Sequence, residues 1–526
     1  MLKFERFVVI LLLILAGCAT PKEIRGENPI VYGLTLEPSG FDPHIHRSAE
    51  LGIVLRQVYD TLVYRHPETR EIVPGLATSW EISDDRLSYT FQLRQDVTFH
   101  DGTPFNAQAV AANLDRIVSP DTRSQKAAFM LGPYIGYEIV DTYTIRILLS
   151  EPFSPLLDSL SQVYLGIASP TALAQYTPER YQFHQVGTGP FRFIKYTPGV
   201  EIVLQRNENY TWGPEFYEPL GDGAIDEIIF KFYADPPTRT LALENGDAHI
   251  MGEIPPASAR LISSGDSLVL QPVSVPGQPL QFMFNTEQYP TNDVNVRRAL
   301  LYATNRGAIV DTVFQGFSPI AWGPLSSNTL YYNPEVEGMY AYDPDQARAL
   351  LATAGFIDTD NDGLLNDGEA NLQIIMLIPP WGQLPEVAQV IQSQWREIGV
   401  DLQLTQVSGF TALREAVAEG QYHLVSFDTP GYDPYFLNEF YMTNAANNYM
   451  NFSNTELDAA LLTARQELSP SARRSQYAAI QRFIMEQALI LPIREYVNLN
   501  AHLPSIHGLV YDPYGWFPLL NNVTVQ

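Results

Sequence analysis

Apolar and polar side chains alternate from Ser88 to Leu93, with Tyr89, Phe91 and Leu93 on one side. A period of two marks a half-buried strand. Val97 and Phe99 repeat it across Thr98, and His100-Asp101-Gly102-Thr103-Pro104 interrupts it with turn chemistry. Asn106 stands at an N-cap position, ahead of Val110, Leu114 and Ile117, which recur at spacings of four and three. The spacing predicts strand, turn and capped helix, in that order.

The same two periods run through the whole chain. Strands are expected over 29–34, 144–149, 191–196, 201–206, 225–232 and 400–404. Val54, Val58 and Leu62 line one helix, and Val387, Ile391, Trp395 and Ile398 line another. Leu457, Leu461 and Leu462 mark a third, and Tyr477, Ile480, Phe483 and Ile484 a fourth. Helix and strand patterns in alternation predict an α/β fold.

The chain has 526 residues, and typical domains hold about 150, so more than one domain is expected. Acidic residues number 59 against 32 basic, a formal charge of −27 that repels phosphate backbones and argues against a nucleic-acid partner. The acidity draws a cationic solute or simply keeps an exported protein soluble. At the N-terminus, Lys3 and Arg6 precede an apolar run over 7–15 that is too short to span a bilayer, and Leu15-Ala16-Gly17-Cys18 follows. Residues 1–17 read as a lipoprotein signal peptide, Cys18 as the lipidated residue, and 18–28 as a tether to a membrane. Cys18 is the sole cysteine, so no intrachain disulfide can form. The nine histidines show no His-Glu-x-x-His spacing, and neither Gly-x-Ser-x-Gly nor a P-loop is present. No catalytic residue is assigned.

The stretch Leu76-Ala77-x-Ser79-Trp80, Tyr89-x-Phe91-x-Leu93-Arg94-x-x-Val97-x-Phe99-His100-Asp101-Gly102 resembles the extracytoplasmic solute-binding proteins of family 5, which serve ABC importers of peptides, oligopeptides and nickel. Gly187-Thr188-Gly189-Pro190, Asn207-x-x-Tyr210-x-Trp212 and Gly246-Asp247 fit the same family. The resemblance implies a two-lobed, periplasmic-binding-protein type II-like fold with an extra subdomain in the first lobe. Lobe I is then expected over 29–65, 187–282 and 499–526, its extra subdomain over 66–186, and lobe II over 283–498. It also implies a monomer outside the cytoplasm that captures a peptide-like solute between its lobes and docks on permease subunits, whose partner ATPases hydrolyse ATP. An oligosaccharide or other non-peptide solute, a sensor or scavenger without transport, and a hydrolase on this fold are the other readings.

Two stretches carry candidate chemistry. Asp358, Asp360 and Asp362, with Gly363, Leu364 and Glu369, follow the spacing of an EF-hand calcium loop over 358–369. The aspartates, the Leu364 carbonyl and a bidentate Glu369 would hold a structural calcium ion; otherwise the segment is a solvated acidic turn. In lobe II, Phe427-Asp428-Thr429-Pro430-Gly431-Tyr432-Asp433-Pro434 resembles the family's ligand segment, in which an aspartate pairs with a peptide ammonium. That position is Pro430 here. Asp428 is expected either to take the ammonium or to cap local backbone, and Asp433 to bind ligand or to hold the loop. Phe427, Tyr432, Tyr435 and Trp381 are expected to flank the solute or to pack in a core.

Overall fold

A computed structural model of the chain describes residues 28–38, 40–218 and 221–526. Residues 1–27 lie outside this range, and with them the expected leader, Cys18 and nearly all of the expected tether.

Three main sheets organise the protein. The first has seven strands, in the order Val269–Ser274, Val497–His502, Ile250–Met251, Pro29–Leu34, Glu227–Phe232, Glu201–Arg206 and Phe191–Thr197. Pro29–Leu34 lies parallel to both of its neighbours, and antiparallel pairs flank this parallel centre. The second sheet has five strands, in the order Asp401–Gln406, Gln373–Ile378, Leu424–Val425, Leu280–Phe284 and Ile490–Arg494. The third is a four-stranded antiparallel sheet of Ala77–Ile82, Ser88–Leu93, Thr144–Leu149 and Tyr134–Asp141.

Save at the boundaries, the first sheet draws its strands from the stretches expected for lobe I, the second from those expected for lobe II, and the third from 77–149. Leu280–Phe284 belongs wholly to the second sheet, so the chain crosses before Leu280 rather than at 283. It returns between Arg494 and Val497, since Val497–His502 is a strand of the first sheet. Lobe I and the subdomain share one continuous core that runs from Ile30 and Tyr59 through Tyr89, Phe91 and Leu149. Lobe II has its own, built on Phe282, Ile374, Trp395 and Leu424.

The opening stretch folds as its pattern requires. Tyr89, Phe91 and Leu93 are buried, and Asn106 caps the helix Ala107–Val118 by accepting from the Ala109 N–H at 3.0 Å. Its turn docks on the Gly187–Gly189 segment, where the His100 N–H donates to the Gly187 carbonyl and the His100 ring lies 2.9 Å from the Gly189 carbonyl. Both glycines are needed because a Cβ on either would collide with the Val58 backbone, and one on Gly189 with the Gln57 carbonyl as well. Asp60 fastens this region from inside, accepting from Tyr64 (2.6 Å), Thr188 (2.8 Å), Tyr210 (2.8 Å) and Trp212 (3.1 Å). The motifs that carry the family resemblance thus brace lobe I.

Candidate functional site

The two crossing segments and the loop after Leu424–Val425 meet where the lobes face each other. Gly277 and Pro430 form a bridge there, the Gln278 N–H donates to the Thr429 carbonyl (3.0 Å), and the Gly431 N–H donates to the Pro276 carbonyl (3.0 Å). Two cavities open on either side of this junction. The larger, about 560 Å³, has Thr35, Arg239 and Glu253 on the lobe I side and Trp381, Phe314 and Arg494 on the other. The smaller, about 420 Å³, lies between Arg47, Lys126 and Tyr164 of lobe I and Phe427, Tyr432 and Tyr435 of lobe II. Asp428, Pro430 and Trp516 line both, so the two are chambers of one interlobe cleft. Their size is typical of small-molecule sites.

Asp428 is one of the charges in this partition. Its Oδ2 accepts from the Tyr496 hydroxyl at 3.0 Å, and enclosure by the lobes pushes its carboxyl up to about 7 despite the opposing pull of Tyr496 and Arg494. Pro430 is held against the crossing segment by the backbone bonds around it, and Gly277 passes so close that a Cβ there would meet Pro430 Cα at 2.7 Å. Position 430 serves the backbone, and Asp428 lines both chambers with it.

Asp433 is spent differently. Arg473 donates to its two oxygens at 2.8 and 2.9 Å, both groups are buried, and the Asp433 Oδ1 also accepts from the Tyr435 N–H. Of the two expectations for Asp433, holding the loop describes this geometry, and no oxygen is left over for a ligand. Tyr432 lines the smaller chamber, but its ring lies under the Arg65 guanidinium at 4.4 Å and so joins lobe II to lobe I. Tyr435 stacks on Phe129 (5.9 Å) and meets Phe153 edge-on (5.6 Å), a second contact between the lobes. Phe427 packs among Phe410, Phe440 and Tyr449 at one wall of the smaller chamber. Trp381 lines the larger chamber, away from the other five sequence-nominated residues except Asp428.

Sequence reasoning did not nominate Arg494, Tyr496, Trp516 or Lys126. The Lys126 ammonium sits 3.9 Å over the Tyr164 ring, and burial lowers its pKa to about 8 against the attraction of Glu439 from the other lobe. Arg239 is already committed to the carbonyls of Tyr233 (3.0 Å), Glu253 (2.8 Å) and Ala234 (3.1 Å).

Away from the cleft, Asp358, Asp360 and Asp362 each bring a carboxylate oxygen within 4.8 Å of the others. Gly363 donates to Asp358 and Leu364 to Asp362, which wraps the backbone around the group. Glu369 is not part of it. Asp367 accepts from the Glu369 and Ala370 N–H groups in the turn that follows.

A two-lobed chain with its cleft at the crossing strands is a binding protein by architecture. Residues 71–451 match the profile of the bacterial extracellular solute-binding proteins, family 5, and the chain belongs to that family, the solute-capturing components of ABC importers. It is 31% identical over 525 residues to heme-binding protein A of Haemophilus influenzae, covering 94% of this chain and 92% of that one. It is 31% identical over 411 residues to the glutathione-binding protein GsiB of Pectobacterium atrosepticum, covering 77% and 74%. Its fold matches that of NikA from Brucella suis in complex with Fe(III)-EDTA, with a TM-score of 0.84 and 24% identity over 95% of this chain and 100% of that one. Membership places the protein outside the cytoplasm.

Proposed function

We propose that the chain captures a peptide-like solute in the interlobe cleft and delivers it to the permease of an ABC importer. The observation that supports this is Asp428. A carboxyl driven up to about 7 by enclosure, lining both chambers and with Arg494 near but not in an ion pair, has room for a cation. A solute ammonium would supply it, through a charge-assisted hydrogen bond contributing about 1.5–3 kcal/mol. Asp428 then does from position 428 what Pro430 cannot do from position 430. Tyr432, Tyr435 and the Glu151–Arg465 ion pair (2.5 Å) join the lobes and hold the closed form. A solute favours that form by its extra affinity for it.

Native mass spectrometry of the protein as purified tests this reading. Retained masses spaced as di- to oligopeptides are expected. A retained mass at hexose spacing would instead make the solute a saccharide.

Two further roles belong to the same picture. Asp358, Asp360 and Asp362 offer the hard oxygen ligands that calcium prefers, and a bound ion would relieve their mutual repulsion. With Glu369 outside the group, the Leu364 carbonyl and water would complete the shell. Lipid on Cys18 would hold the protein at the membrane, where its permease lies. Replacing Cys18 by alanine should release the protein into the medium or periplasm, and retention at the membrane would argue against the anchor.

A further inference from the structure

Several buried arginines in this protein are bound by a carboxylate or by backbone carbonyls. Arg65 pairs with Asp158 (2.5 Å), Arg116 with Asp42 (2.5 Å) and Arg473 with Asp433 (2.8 Å). Arg297, which has no carboxylate, donates to four carbonyls, those of Ala488, Thr291, Asn292 and Gln487. Arg494 follows neither pattern. It is 6% exposed and lines the larger chamber. Its Nη1 makes two long contacts, to Ser318 Oγ and the Glu495 carbonyl, both at 3.3 Å. Its Nε has no partner within the chain, and among the described residues no carboxylate lies at ion-pair distance. A guanidinium carries five N–H donors, so most of this one's capacity is unused.

The group is also held rigidly. The Phe314 ring lies 4.2 Å from the guanidinium carbon and the Tyr496 ring 4.3 Å from it. Two aromatic faces fix the plane of the fork, and a fixed fork loses less entropy when it binds a planar partner. Trp516, which lines the same chamber, presents a buried Nε1–H that is likewise without a partner. Burying a full charge and leaving it unpaired is costly, and such groups in native proteins call for a partner.

We propose that Arg494 is the anchor for a carboxylate on the solute, and that the substrate class is therefore acidic. This inference rests on the cleft being the solute site. A carboxylate fits better than a phosphate because Glu253 and Asp428 share the chamber. A dianion would face both, whereas a single negative charge is balanced by Arg494. Tyr496 links the two recognition points, stacking on Arg494 while its hydroxyl donates to Asp428. A solute amine and a solute carboxylate would be read on either side of that one ring.

The test uses the purified protein, stripped of retained solute, and a panel of acids each paired with its neutral amide: di- and trialanine and their C-terminal amides, succinate and succinamide, with glycerol phosphate as the phosphate arm. Thermal shift finds the binders and calorimetry measures them, on the parent, Arg494→Gln and Arg494→Lys. The acids are expected to bind and the amides not to. Arg494→Gln should weaken the acids at least about thirtyfold, as expected for loss of a buried charge pair, and Arg494→Lys should recover part of that. Unliganded melting of both variants near the parent's shows that they fold. Amides binding as well as acids, unchanged acid binding in Arg494→Gln, preference for the phosphate, or binding by no acid would each overturn the proposal. Binding of succinate without any peptide would retain the carboxylate anchor and defeat the peptide reading instead.

Discussion

The two chambers of the cleft contain the same kinds of residue and use them in opposite ways. In the smaller chamber, Asp433 is chelated by Arg473, Asp158 is paired with Arg65, and Tyr432 covers the same Arg65. Lys126 departs from this, lying over Tyr164 with Glu439 of the other lobe for a distant counter-charge, and Arg47 forms no ion pair among the described residues either. In the larger chamber, Arg494 and Asp428 attract each other without forming an ion pair, and the Tyr496 hydroxyl is the side-chain donor on Asp428. The paired ions of the smaller chamber brace the lobe that each belongs to, and the Tyr432 ring on Arg65 joins one lobe to the other. Unpaired ions beside open volume are what the proposed recognition would use. The difference teaches that a conspicuous aspartate in a ligand loop is not a ligand group until its partners are counted.

Substitutions on the two sides should therefore part company. The largest effect is expected from Arg473→Met, which leaves Asp433 buried and unpaired and should cost about 3–5 kcal/mol in urea denaturation. Arg494→Gln should cost less than about 1 kcal/mol by the same measurement, since no ion pair is broken, yet remove solute binding. Equal destabilisation by the two would erase the distinction. Next in size, Tyr435→Ala removes the stack on Phe129 and the edge contact with Phe153, and so should disfavour closure. Roughly tenfold weaker binding with an unchanged contact set at Arg494 is expected, because affinity falls with the population of the competent form. An unaltered affinity would remove Tyr435 from the latch.

The pH dependence sharpens the role of Asp428. Its folded-state carboxyl titrates near 7 and its unfolded one near 4, so between those values the folded chain keeps a proton that the unfolded chain has lost. Stability from this group is therefore present at low pH and declines as pH rises through that window. Asp512, also pushed up to about 7 by burial, adds the same sign. Binding of an ammonium solute runs the other way, since it needs the ionised carboxylate. Affinity should rise with pH from 5 towards 7 and then level off, and Asp428→Asn should flatten the profile. A flat profile in the parent would show that Asp428 does not meet the amine. The smallest effect belongs to the acidic loop, where chelation should remove about 40 Da and lower the melting temperature by a few degrees without altering affinity for solute.

Much of the scaffold was legible in the chain because it is written in periods. Tyr89, Phe91 and Leu93, and Val387, Ile391 and Trp395, state a strand face and a helix face by spacing alone, and both are buried as expected. The crossing points were misplaced by two or three residues, because Leu280 and Gln281 carry no pattern break, and only pairing with Ile490–Arg494 shows to which sheet they belong. The cleft was legible in part. The segment around Asp428 was nominated, since Asp433-Pro434 marks it. Arg494 was not, because it is one residue in the apolar strand Ile490–Arg494, and its significance lies in Phe314 and Tyr496, one of them 180 residues earlier. Absence of a partner leaves no trace in a sequence. Glu369 shows the converse: its spacing from Asp358 fits an EF-hand, but its carboxylate is not part of the aspartate group.

The most direct measurement is a crystal structure of the protein loaded with the solute it retains. The account predicts density in the larger chamber, with a carboxylate against Arg494 and an amine within hydrogen-bond distance of Asp428. Density confined to the smaller chamber, or a solute that leaves Arg494 untouched, would contradict it.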